Sequence, residues 1–136
     1  MIKKVNHVAI VVEDIAQALG FWQEALGLPL DHVEDVPSQK AKVAFLPVGD
    51  SEVELVQPTD PDSGMGAFLA KKGEGLHHLC FEVGDIDAVL ANLNEKGIRL
   101  INETALDLPG RRMAFIHPKS CNGVLVELYE LTSQAE

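Results

Sequence analysis

Two stretches of this chain repeat each other. His7-Val-Ala-Ile-Val-Val-Glu-Asp14-Ile15 lies over His78-Leu-Cys-Phe-Glu-Val-Gly-Asp85-Ile86, so that His, Asp and Ile coincide at an offset of 71 residues. Val53-Glu54-Leu55 lies over Val126-Glu127-Leu128 at an offset of 73. Self-similarity of this kind means repeated supersecondary units that must share a core. Each half has one plan: a strand led by His, a helix, further strands, and a closing strand that carries Glu.

Local signals supply the elements. Val8 to Val12 is a β-branched run. Asp14 offers a helix N-cap, with Gln17 as capping-box partner. Ile15, Leu19, Trp22 and Leu26 fall on one helix face, and Gly27 and Pro29 stop the helix. In the second half Asp85 caps, Ile86, Val89, Leu90 and Leu93 form the stripe, and Lys96-Gly97 closes it. Ala41 to Val48 and Ser51 to Gln57 flank the turn signal Gly49-Asp50. Met113 to His117 and Gly123 to Leu131 are the matching strands. A Pro-, Gly- and Asp-rich linker covers 60–75, with a short helix expected around Ala67 to Lys72. The tail from Thr132 is expected to fray. The predicted fold is α+β: two repeated β-α-β-β-β modules, about 1–59 and 76–131, forming a curved sheet or half-barrel around a central cleft.

Composition sets the class of partner. The 136 residues amount to a single domain that needs no disulfide staples. A formal net charge of −10 argues against a nucleic-acid backbone and an anionic membrane surface. A small anionic substrate needs only a local basic pocket. Cys80 and Cys121 fit neither a disulfide framework nor a zinc spacing, which points to a reducing cytoplasmic setting. Cys80 reads as a small core residue. The first twelve residues read as neither a signal peptide nor a membrane span, because Glu13 and Asp14 interrupt the apolar run.

Four polar residues stand out against the apolar strands. Taken singly, a strand His is usually an ordinary core or surface residue, and a sheet Glu usually faces water. Here both types recur at the same place in both halves. Pseudo-two-fold symmetry would bring His7, His78, Glu54 and Glu127 together. Two imidazoles and two carboxylates suit a divalent Co, Mn, Ni, Zn or Fe ion with positions left open, rather than a closed thiolate zinc site. His77 competes with His78, but strand alternation allows only one of them to face the site, and the aligned Asp85 and Ile86 favour His78.

At these residues the chain resembles the vicinal oxygen chelate superfamily, and within it the methylmalonyl-CoA epimerase family. The stretches that carry the likeness are His7-Val-Ala-Ile-Val-Val, Gly75-Leu-His-His-Leu-Cys-Phe-Glu-Val and His117-Pro-Lys-Ser-Cys-Asn-Gly-Val-Leu-Val-Glu127-Leu. The resemblance implies paired β-α-β-β-β modules, one divalent metal (Co2+, Mn2+, Ni2+ or Zn2+), a small acyl-CoA substrate and a homodimer. It implies interconversion of the C2 epimers of methylmalonyl-CoA, with His7, Glu54, His78 and Glu127 as metal ligands. Two departures matter. The Glu54 position is often Gln in epimerases, whereas glyoxalase-type relatives carry Glu. Some epimerases place a basic Glu where this chain has Val43.

Epimerisation α to a thioester removes a proton and returns it on the other face, through an enolate whose charge needs stabilising. Glu127 is the expected base on one face and Glu54, its symmetry mate, on the other. His117-Pro-Lys119-Ser120 reads equally as a substrate-facing loop or as a surface turn. Arg111 and Arg112 read as a solvated hairpin, with a CoA phosphate as their alternative partner, and Phe21 and Trp22 as helix core residues. The rival activity is glyoxalase I-type isomerisation of a glutathione hemithioacetal. A metal-free ligand-binding module is disfavoured by the His and Glu quartet.

Overall fold

The computed structural model describes residues 1–132; residues 133–136, most of the tail expected to fray, lie outside the described part. Thr132 itself donates its N–H to the Gly110 carbonyl at 3.0 Å. The chain divides into two compact units, one of His7–His77 and one of Met1–Asn6 with the chain from His78. Both are α+β, as the repeat predicts.

In the His7–His77 unit, β1 (Ile2–Val11) runs parallel to β4 (Ser51–Pro58), which pairs antiparallel with β3 (Ala41–Val48), itself antiparallel to β2 (His32–Val36). The strand order is β2-β3-β4-β1. Gly49 takes φ +56° in the two-residue loop between β3 and β4, the conformation for which such hairpins need glycine. Helix α1 (Ile15–Leu19) starts where the Asp14 carboxylate accepts from the Gln17 N–H at 3.2 Å. Its first N–H, on Ile15, donates to Gln57 Oε1 at 2.9 Å. Val12, Ile15, Ala44, Leu46 and Leu55 pack under this helix, with Leu19 and Trp22 against them. The opposite face of the strands carries a second apolar cluster of Ala9, Ala41, Val43 and Val56.

The predicted single helix through Leu26 is two pieces. Past Leu19 the chain winds as a π-helix over Gly20–Ala25, with the Leu26 N–H reaching the Phe21 carbonyl at 2.8 Å. The wider turn breaks the 3.6-residue phase. Trp22 therefore still meets the core, while Phe21 and Leu26, expected inside, are 55% and 53% exposed.

Helix α2 (Gly64–Lys72) lies within the predicted linker and begins three residues before the expected start. Ser63 caps it, its Oγ accepting from the Gly66 N–H at 3.1 Å. A Cβ on Gly66 would collide with the Asp60 carbonyl oxygen and the Pro61 backbone, so only glycine fits this bend.

The second unit repeats the first. β5 (Gly75–Val83) runs parallel to β8 (Leu125–Leu131), which pairs antiparallel with β7 (Arg111–Ile116), and β7 pairs with the short β6 (Leu106–Leu108). The strand order is β5-β8-β7-β6. Helix α3 (Ile86–Glu95) is capped by Asp85, which accepts from the Ala88 N–H at 3.2 Å. The Ile86 N–H donates to Glu130 Oε1 at 2.8 Å. Val83, Ile86, Leu90, Ala114, Ile116 and Leu128 form the core under this helix. Among the described residues no helix is long and apolar enough to cross a membrane.

Candidate metal centre

The strand pairings explain the two offsets of the repeat. In the β1/β4 ladder Ala9 lies opposite Glu54, and in the β5/β8 ladder Cys80 lies opposite Glu127. His7 and His78 each sit two residues before these positions, on the same strand face as Ala9 and Cys80. Each unit thus builds its His–Glu pair at the same place in an equivalent ladder. The helices occupy the other face: Val53 and Leu55 pack toward α1, and Val126 and Leu128 toward α3.

Both pairs are closed by contact. His78 Nε2 lies 3.0 Å from Glu127 Oε1, and His7 Nδ1 lies 3.5 Å from Glu54 Oε2. His7, His78 and Glu127 are 1%, 5% and 4% exposed. A buried carboxylate without compensation would cost several kcal/mol or take up a proton, on the order of what burying an unpaired charge costs. In each pair an imidazole nitrogen stands at contact distance from the carboxylate. Glu54 is the more open of the two carboxylates, with 15% of its side chain exposed.

The donor set fits a divalent cation. Ligand atoms about 2.1 Å from one ion, at tetrahedral or octahedral angles, lie roughly 3.0–3.4 Å apart. The imidazole-to-carboxylate separations of 3.0 and 3.5 Å match that spacing. Imidazole nitrogen with carboxylate oxygen suits Zn and the other first-row divalent ions better than Ca or Mg.

The neighbouring histidines separate as alternation requires. The His77 ring meets the Phe68 ring of α2 edge-on at 4.9 Å, whereas His78 turns to Glu127. Two residues that sequence reasoning missed lie on the site face of the second unit. Cys80 is fully buried as predicted, but its Sγ lies within 4.8 Å of a Glu127 carboxylate oxygen. Phe115, opposite Glu127 in the β7/β8 ladder, sets its ring edge-on to His78 at 5.8 Å. Counting two residues on from His78 finds Cys80 in the sequence. Phe115 is found only once the β7/β8 register is known.

Val43 sits on the same face as Glu54, because Val43 opposes Val56 and Phe45 opposes Glu54. It is 3% exposed among Ala9, Ala41 and Val56. Glu54 thus has the apolar cluster of Ala9, Ala41, Val43 and Val56 along one side of its face, and Glu52, opposite His7, along the other.

The His117–Ser120 loop is a capped 3-10 turn: His117 Nδ1 accepts from the Lys119 N–H at 3.1 Å, and Ser120 Oγ accepts from the Arg99 N–H at 2.9 Å. Partial loss of solvent, followed by the charges of Arg99 and Lys119, holds His117 below the ordinary imidazole pKa. Arg112 grips Asp87 with two bonds of 2.7 and 3.0 Å and Asp107 with one of 2.9 Å. The solvated-hairpin expectation thus misses a charged clamp between β7, β6 and the start of α3.

Comparison with known proteins bears on this geometry. Residues 6–115 match the Glyoxalase/Bleomycin resistance protein/Dioxygenase superfamily. The mitochondrial methylmalonyl-CoA epimerase of Mus musculus is 39% identical over 127 residues, spanning 92% of this chain and 71% of the relative. The ethylmalonyl-CoA/methylmalonyl-CoA epimerase of Cereibacter sphaeroides is 36% identical over 134 residues, spanning 96% of this chain and 100% of the relative. A solved methylmalonyl-CoA epimerase in complex with methylmalonyl-CoA and NH4+ superimposes with a TM-score of 0.85 at 33% identity, over 98% of this chain and 97% of that one.

Proposed function

This chain belongs to the glyoxalase/bleomycin resistance protein/dioxygenase superfamily and, within it, to the methylmalonyl-CoA epimerase family, and from that premise we propose that it interconverts the C2 epimers of methylmalonyl-CoA. The observation that carries the reading is the buried His–Glu pair built twice, once in each unit. In this reading His7, Glu54, His78 and Glu127 hold one divalent ion, Co2+, Mn2+, Ni2+ or Zn2+. Such an ion supplies Lewis acidity where negative charge develops on the thioester oxygen as the C2 proton leaves.

The chain's own residues do the proton work. Glu127 Oε1 stays with His78, and Glu127 Oε2 takes the C2 proton on one face of the substrate. Glu54, the symmetry mate, returns a proton on the other. The apolar setting of Val43 supports this assignment, because the position where some relatives carry an extra base offers none here. The homodimer and cytoplasmic setting that the resemblance implies belong to the same proposal, and light scattering reads the first of them.

A glyoxalase I-type reaction is the second reading, favoured by Glu rather than Gln at position 54. One experiment separates the two. The metal-loaded protein is incubated in D2O with methylmalonyl-CoA, and C2 is followed by NMR beside a parallel reaction with the methylglyoxal–glutathione hemithioacetal. Deuterium entering C2 without turnover of the hemithioacetal supports the epimerase. The reverse supports the glyoxalase, and neither reaction rejects both.

A further inference from the structure

Two adjacent arginines open β7, and they meet opposite fates. Arg112 is held by Asp87 and Asp107 on the helix side. Arg111 points to the other face, the face of Glu127. The ladder fixes this: Phe115 opposes Glu127, Met113 opposes Tyr129 and Arg111 opposes Leu131, and directly opposed residues share a face. The guanidinium lies over the Tyr129 ring at 5.1 Å. Its Nε is buried and, among the described residues, has no hydrogen-bond partner. The carboxylate that shares this face opposite Tyr129, Glu82, is engaged by Asn6 Nδ2 at 3.3 Å.

A buried guanidinium donor without an acceptor is costly unless a ligand supplies one. The repeat shows that the fold does not require it. The first-unit equivalents of Arg111 and Tyr129, by register, are Ala41 opposite Pro58 and Val56 opposite Val43, all four without charge. The backbone at Arg111 is also fixed. Leu108 and Arg111 flank a Pro109-Gly110 turn with Gly110 at φ +79°, and Arg111 pairs with strands on both sides.

We propose that Arg111 is a substrate-binding residue that receives the free carboxylate of the acyl group, its planar fork meeting the carboxylate oxygens. The face shared with Glu127 favours the acyl carboxylate over the CoA phosphates. Tyr129 stands two residues from Glu127 along β8, roughly 7 Å of strand. The guanidinium rests on that neighbouring position, and the acyl carboxylate, attached to the reacting carbon, is the acidic group of the substrate nearest to the base. Arg111 would then fix which face of C2 looks at Glu127, and would reject thioesters that lack the second carboxylate. The inference rests on the epimerase reading and deepens it.

The test compares affinities for methylmalonyl-CoA and propionyl-CoA, which share the CoA moiety and differ in the carboxylate, using metal-loaded wild type, Arg111→Ala and Arg111→Lys. The expected result is a loss of methylmalonyl-CoA affinity on the order of tenfold to a hundredfold in Arg111→Ala, the scale of a charge-assisted hydrogen bond. Propionyl-CoA affinity should change less than about threefold on that same scale, and Arg111→Lys should recover part of the loss. Equal weakening of both ligands would assign Arg111 to the phosphates or to structure and overturn the inference, as would no change in either. C2 exchange by the wild type is measured in the same preparations. Its absence sinks the epimerase reading, whereas an active wild type with unaltered discrimination in Arg111→Ala sinks only the role of Arg111.

Discussion

His78 and Glu127 stand 3.0 Å apart in a setting where both are nearly inaccessible to water. Glu127→Gln keeps the shape and one oxygen donor and removes the base. We expect C2 proton exchange to fall on the order of 10²–10⁴-fold, the usual worth of a positioned general base, while bound metal is still detected. Retained exchange in D2O would reject that role. Histidines away from the site give an independent check on the local electrostatics. His32 donates to Asp31 at 2.6 Å and to Glu34 at 3.0 Å, and these partners, Asp31 first, raise its pKa. Its stabilising contribution is complete below the pKa of an unfolded His and is lost as pH rises through the higher folded value. His117 runs the other way: its contribution is present above the unfolded value and is lost as pH falls through the lower folded one. NMR titration should therefore show His32 deprotonating at higher pH than His117, with Asp31→Asn moving His32 back toward the ordinary value; the reverse order would contradict the described contacts. At this scale His7, His78, Glu54 and Glu127 are legible because they recur in both halves. Arg111 is not, because its face is decided by a cross-strand register that a single sequence does not display.

Helix α3 shows what the sequence determines about an element. Asp85 accepts the Ala88 N–H at 3.2 Å, and Glu130 accepts the Ile86 N–H at 2.8 Å. The same two contacts serve α1 through Asp14 and Gln57. Asp85→Ala should cost about 1 kcal/mol, seen as a lower denaturant midpoint at an unchanged slope. An unaltered midpoint would mean that Glu130 alone secures the end. The capping Asp residues are visible in the sequence, and so is the 73-residue step from Gln57 to Glu130, although the capping role of that second pair appears only in three dimensions. The π segment Gly20–Ala25 is not visible, since its apolar spacing suits an ordinary helix. Strand β2 is hidden for another reason: His32-Val-Glu-Asp-Val36 is mostly exposed and acidic, a composition that protects an edge but erases the alternation by which strands are recognised. β6 has three residues, too few to show a period.

At the scale of the whole molecule, the duplicated plan gives each unit one helix-covered face and one face bearing a His–Glu pair. The asymmetry between the halves is as informative as the likeness. Where the first unit has Ala41 and Val56, the second has Arg111 and Tyr129 at the equivalent register positions. Both pairs are proposed to serve one ion, and a metal count on protein loaded with Co2+ or Zn2+ and freed of excess tests this. One equivalent per chain in the wild type, lost in both His7→Ala and His78→Ala, is the predicted result. Two equivalents per chain, or a full equivalent surviving either substitution, would show that the pairs act separately and would contradict the account.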